Sequence, residues 1–269
     1  MSEDYAETQH HVASDTIDHV AKITDPGERD RASHLWGDRL MINAGNIAAW
    51  LFPVLMFAIV AQVILRKSGH NQAWLDDAQW WIYGAALLTG FGYAITTESH
   101  VRVDIFHANY SAAKKARIEL FALGWCLLPF LILMLDVLIH YAFASFSVRE
   151  TSDSPNGLHG VYLLKMLLPV LFALAITAAF SVFLRHLSTL KKPAFWNVAI
   201  AAFPTFWFLA ERITYYSLWW VVRFNNPELK TRRVSKDPLL EPTIWYGLAL
   251  VIVLVVASYL LSKRNSSKA

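Results

Sequence analysis

The sequence predicts an all-α polytopic membrane protein: a four-transmembrane-helix core plus one or two additional C-terminal transmembrane or interfacial helices. Apolar residues, 55% of the 269-residue chain, gather in runs of about 17–25, the length that crosses a bilayer core of roughly 30 Å. Charged residues concentrate between those runs. Trp74, Trp80 and Trp81 cluster at the start of one of them, where indole rings settle at headgroup level.

Residues 1–39 read as a polar, acid-rich tail with no apolar stretch near the start to mark a signal peptide. Within it, "DTIDHVAKI" is expected to form a short amphipathic helix carrying Ile17, Val20, Ala21 and Ile23 on one side. Residues 40–192 hold the four-helix core. Span one, "GNIAAWLFPVLMFAIVAQVIL", covers 45–65 and meets a kink at Pro53. Span two is short, about residues 80–96, and follows an interfacial stretch with Trp74, Asp76, Asp77, Trp80 and Trp81. Its Gly84, Ala85, Ala86, Gly90 and Gly92 are expected to admit another helix at close range. Span three covers about 118–142 with Pro129 inside, and span four is "VYLLKMLLPVLFALAITAAFSVFL".

Residues 193–269 form an extension. "PAFWNVAIAAFPTFWFLAERITYYSLWWVVRF", interrupted by Pro204, Glu211 and Arg212, reads as one tilted crossing or as a short crossing followed by an interfacial helix. Its length favours the full crossing. "TIWYGLALVIVLVVASYLL" is a clean last span. Positive residues lie before span one, between spans two and three (Arg102, Lys114, Lys115, Arg117) and after span four (Arg185, Lys191, Lys192). The core is therefore expected to keep its N-terminus in the cytoplasm.

Little here points to catalysis. The single cysteine, Cys126, excludes an internal disulfide and a Cys-based zinc site. No HExxH, Walker or GxSxG motif occurs, and no basic stripe with interleaved aromatics points to nucleic acid. Haem ligation needs two facing axial ligands, and only His140 lies well within a span. We expect neither an enzyme nor a cofactor. Charges inside spans are costly and usually paired. Asp136 and Lys165 both lie roughly 8–10 Å below the same surface, so they are expected to pair across the hairpin unless each snorkels separately. Glu211 and Arg212 form a second, local pair. A stand-alone ion-coupled carrier would draw on Asp136, His140 and Glu211, and a membrane redox anchor is the remaining alternative.

"TTESHVRVDIFHANYSAAKKARIEL", residues 96–120, concentrates charge between two apolar spans. If helical, it sets Glu98 against Arg102 and His100 against Asp104; if extended, His100, Arg102 and Asp104 share one face. Ser111 is the expected N-cap of the next helix.

The run "GFGYAITTESHVRVDIF" closely resembles the signature ending the second helix of the small membrane subunit, DctQ-like, of tripartite ATP-independent periplasmic (TRAP) transporters. There the pattern is H-[IV]-R-[IV]-D, here His100, Val101, Arg102, Val103 and Asp104. A second block, "SFSVRETSDSPNGLHGVYLLKMLLPVLFAL", resembles the family at Ser145, Phe146, Glu150, Ser152, Gly157, Leu158, Lys165 and Pro169. The resemblance covers about residues 47–185, and the long tail and C-terminal extension depart from it.

It implies a scaffold for a large TRAP membrane subunit, anchored by membrane lipids in the bacterial inner membrane. Uptake would be ion-coupled, usually to Na+, with an organic acid or similar solute delivered by a periplasmic substrate-binding protein. The motif residues Glu98, His100, Arg102, Asp104, Glu150, Gly157, Lys165 and Pro169 would then serve subunit packing.

Overall fold

The structure, a computed structural model, describes residue 27 and residues 31–99 and 109–266. All regular elements among these are helical. In chain order they are α1 (Trp36–Ala49), α2 (Leu51–Lys67), α3 (Ala73–Thr96), α4 (Ala112–Phe121), a π-helical turn (Ala122–Leu127) and α5 (Leu128–Val148). There follow α6 (Val161–Leu190), α7 (Phe195–Ala201), α8 (Phe203–Asn225), α9 (Thr231–Val234) and α10 (Thr243–Ser266).

Four helical stretches among the described residues are long and apolar enough to cross a membrane: Trp36–Lys67, Ala112–Val148, Val161–Leu190 and Thr243–Arg264. At 24 residues α3 has the length, but Asp76, Asp77 and Gln79 dilute its first turns. It nonetheless packs into the core against α1, α2 and α6.

The core forms around α6, which touches α1, α3, α4, the π turn and α5. Ala175, Ala178, Ala179 and Phe183 are fully buried on it, with Leu171, Val182 and Leu187 completing the stripe. Lipid tails are as apolar as leucine, so helices in a bilayer gain contact chiefly by close approach, which small residues permit. Gly92 on α3 works the same way, since a Cβ there would lie 2.6 Å from Met41 Sδ. Of the small residues expected to mediate contact, Ala86 and Gly92 do so, whereas Gly84 and Gly90 face open space.

Span one differs from the sequence reading. The helix begins at Trp36, inside the stretch read as tail, and breaks after Ala49. Pro53 accounts for the break: it has no N–H for the Ala49 carbonyl, and its ring presses on that carbonyl. α1 packs on α3 and α6, while α2 turns most of its side chains outward. The tail before residue 27 and its expected amphipathic helix lie outside the described residues.

Pro129 acts differently on span three, which runs unbroken from Ala112 to Val148. The proline opposes the Trp125 carbonyl, and the wider π turn takes up the mismatch. Ser111 caps α4 as expected, its Oγ accepting from the Lys114 N–H at 3.4 Å.

Candidate functional site

Three polar clusters interrupt the apolar packing. The first ties α1, α3 and α6 together at the end where α3 and α6 both finish. α3 closes with Glu98 in the left-handed region, φ 51°, and the N–H groups of Glu98 and Ser99 return to the Ile95 and Ala94 carbonyls. That turn sends the Glu98 carboxylate toward α6. Arg185 Nη2 lies 3.6 Å from Glu98 Oε1 and donates to the Thr96 carbonyl at 2.9 Å. Arg185 Nε lies 3.4 Å from Oδ2 of Asp38, a side chain with 0% exposure. Asp38 Oδ2 also accepts from the Leu35 N–H at 2.9 Å, closing the first turn of α1. His186 Nε2 stands 3.3 Å from Glu98 Oε1. One guanidinium thus joins three helices.

The motif residues His100, Arg102 and Asp104 lie outside the described residues; Glu98, beside them, is the described residue that reaches this cluster. Sequence reasoning missed Asp38 and treated Arg185 only as a topology charge. The available signal was an aspartate three residues after Leu35, at the head of an amphipathic stretch.

The second cluster closes the turn between α5 and α6. Lys165 Nζ donates to both Glu150 oxygens at 2.6 Å and lies 4.5 Å from the Tyr141 ring centroid. The Leu158 N–H donates to Asp77 Oδ2 at 2.9 Å, fastening the loop to the first turns of α3. Gly157 fits beneath, where a Cβ would come within 2.4 Å of Ser152 Oγ. Pro169 sits inside α6 and denies the Lys165 carbonyl its helical bond. Glu150, Gly157 and Lys165 of the second sequence block are therefore one local structure.

The Lys165 ammonium holds the Glu150 carboxyl below its ordinary value of 4.5. A depressed carboxyl contributes stability above its unfolded pKa and loses that contribution as pH falls through the folded value. Accordingly, the melting-temperature difference between wild type and Glu150→Gln should stay constant from neutral pH to the ordinary glutamate value and shrink only below it. A difference that vanishes above that value would show that the pair does not hold in solution.

The third cluster corrects the expected Asp136–Lys165 pair. Lys165 is committed to Glu150, while Asp136 Oδ1 accepts from the Tyr216 hydroxyl at 2.6 Å and Oδ2 lies 3.6 Å from Arg212 Nη1. The reason is helical rotation. Asp136 and Tyr141 differ by five residues, about 140° around α5, so the face toward Lys165 is not the face bearing Asp136. Glu211 and Arg212 do pair locally. Glu211, 8% exposed, also accepts from Thr243 Oγ1 at 3.1 Å. His140 Nε2 lies 2.6 Å from the Tyr216 hydroxyl oxygen.

Among the described residues no group of three or more His, Cys, Asp or Glu side chains is placed to hold a metal ion. These clusters join helices to helices, and the molecule is of the class of all-α polytopic membrane proteins. The chain belongs to the DctQ component family of tripartite ATP-independent periplasmic transporters, whose model matches residues 55–189, half of its length. It is thus a transporter component. No curated protein and no solved structure matches it.

Proposed function

We propose that the chain is the small permease subunit of a TRAP transporter, a scaffold in the bacterial inner membrane with its N-terminus in the cytoplasm. The large membrane subunit moves against it during Na+-coupled uptake of an organic acid or similar small solute, delivered by a periplasmic substrate-binding protein. The observation that carries this reading is that the charges within and beside the spans are engaged by groups of the same chain. Lys165 is held by Glu150, and Asp136 by Tyr216 and Arg212. Arg185 is held against Asp38 and Glu98. A scaffold uses such pairs to fasten helices, whereas a carrier keeps charged groups available to substrate or ion. Membership in the DctQ family supports the same division of labour.

Purifying the tagged chain from its native membrane in mild detergent tests the proposal. A larger polytopic partner in stoichiometric amount is expected. A solitary chain that transports when reconstituted would overturn the scaffold reading. We further expect Arg102→Ala and Asp104→Ala to reduce recovery of that partner or the transport rate without altering substrate preference. A changed preference in competition assays would count against a scaffold role.

A further inference from the structure

The contacts of the C-terminal helices define a direction. Along α5 and the turn before it, Gly124 meets Thr205, Asp136 meets Arg212 and Tyr216, and His140 meets Tyr216. Residue number rises on both helices, so α8 runs parallel to α5. α10 runs the opposite way: Gly247 packs on the Glu211 backbone and Tyr259 on Trp196, with ring centroids 5.5 Å apart. Both α5 and α10 lie in stretches long and apolar enough to cross a membrane. α8 lies alongside both: Thr205 to Tyr216 follow the π turn and α5, and α10 begins beside Glu211, at the middle of α8.

α8 alone lacks the apolar character for this, because Glu211 and Arg212 fall near its middle. The structure lowers the obstacle by pairing these charges, with Asp136 and Glu211 sharing the Arg212 guanidinium. Arg212 bonds Glu211 and reaches Asp136, and Glu211 takes a further bond from Thr243 on α10. The Tyr216 hydroxyl has one proton and donates it to Asp136, so His140 Nε2 must be the donor to the phenol oxygen.

About three turns back along span three, the π turn supplies a second anchor. The Gly124 carbonyl accepts from Thr205 Oγ1 at 2.7 Å, and Trp125 Nε1 donates to the Ala201 carbonyl at 3.0 Å. A Cβ on Gly124 would lie 3.0 Å from that same Ala201 carbonyl oxygen. The two sets of contacts join α5 and the π turn to α8, and Thr243 adds α10 to the set around Asp136.

We propose that the face formed by Gly124 of the π turn and by Asp136 and His140 of α5 is a docking site for an α8–α10 hairpin that crosses the membrane twice. The loop of residues 226–242 then emerges at the α5–α6 end, and α10 finishes at the end where α6 finishes. Trp219 Nε1 bonding to Ser235 Oγ, and Arg223 Nη1 bonding to the Pro227 and Leu229 carbonyls, fold that loop back onto α8. Docking also commits this face of α5 within the chain, so a large protein partner must engage the bundle elsewhere.

Single cysteines in a full-length Cys126→Ser background test the crossing. Asn156→Cys marks the α5–α6 end, Lys191→Cys the opposite end, Arg233→Cys the loop and Lys263→Cys the end of α10. Labelling by a membrane-impermeant maleimide is compared in right-side-out and inverted membranes. Arg233→Cys is expected to label with Asn156→Cys, and Lys263→Cys with Lys191→Cys. The reverse grouping, which a surface-lying α8 would give, overturns the proposal.

For the docking role, Asp136→Leu is expected to divide the Arg233→Cys label between the two sides. Tyr216→Phe, which removes one of Asp136's partners, should give an intermediate division, while Asp136→Asn keeps an acceptor for Tyr216 and the one-sided label. One-sided labelling in both Asp136→Leu and Tyr216→Phe overturns the docking role. Reading the Asn156 and Lys191 probes beside each variant separates loss of protein from change of topology.

Discussion

Arg185→Ala is expected to lower the melting temperature of the purified protein by about 10 °C, one of the two largest single-residue effects we anticipate. Arg185, 15% exposed at its side chain, neutralises Asp38, which has 0% exposure, and holds Glu98 and the Thr96 carbonyl. Removing one partner of a buried pair leaves a desolvated charge behind and costs about 3–5 kcal/mol. Each kcal/mol shifts the melting point of a chain of this size by about 2–4 °C. The damage should be relieved in Asp38→Leu/Arg185→Leu, because replacing both members by apolar groups leaves no orphaned charge. Arg185→Lys should fall between, since an ammonium lacks the fork that reaches three acceptors. A melting curve for Arg185→Ala within about 2 °C of wild type would show that the cluster does not fasten α1 to the bundle.

Gly247→Ala should separate α8 from α10. A Cβ at residue 247 lies 2.7 Å from both Cα and N of Glu211, and a helix backbone cannot swing aside as a long side chain can. Overpacking of this kind costs about 1–3 kcal/mol, a fall of roughly 5 °C, and it also draws Thr243 away from Glu211. Gly84→Ala is the matched control: nothing lies within 4 Å of its added Cβ, and alanine is the better helix former. The melting temperature of Gly84→Ala should therefore equal or exceed wild type. If the two variants melt alike, the close approach of α8 and α10 is absent in the membrane-extracted protein.

Both expectations depend on residues whose importance differs in legibility. Gly247 opens a clean apolar span and carries no sequence signal of its own. Asp38 stands in a stretch that composition assigns to a solvated tail, and its burial follows only from α1 folding down on α3 and α6. Glu150 and Lys165 could be read from the sequence as parts of one block. Their direct bond could not, because the intervening turn depends on the left-handed Arg149 and on Gly160, with φ 48° and 97°.

Pro53 and Pro129 show the intermediate case. Each marks a disturbance visible in sequence, yet the first breaks a helix and the second is absorbed in a π turn. The outcome depends on neighbours: α1 is held by its own contacts to α3 and α6, whereas the π turn offers the Gly124 carbonyl to Thr205.

By itself the sequence determined that this is a helical membrane protein, where most of its apolar stretches lie, and which transporter family it resembles. Those properties follow from local hydropathy, run length and motif order, all of which act along the chain. Only the tertiary structure decided which charges meet: Asp136 with Tyr216 and Arg212, Lys165 with Glu150, and Arg185 with Asp38 and Glu98. Lipid and protein interior are nearly alike to an apolar side chain, so hydropathy leaves the rotation of each span about its axis undetermined. Polar partners and close backbone contacts set that rotation, and both come from distant parts of the chain.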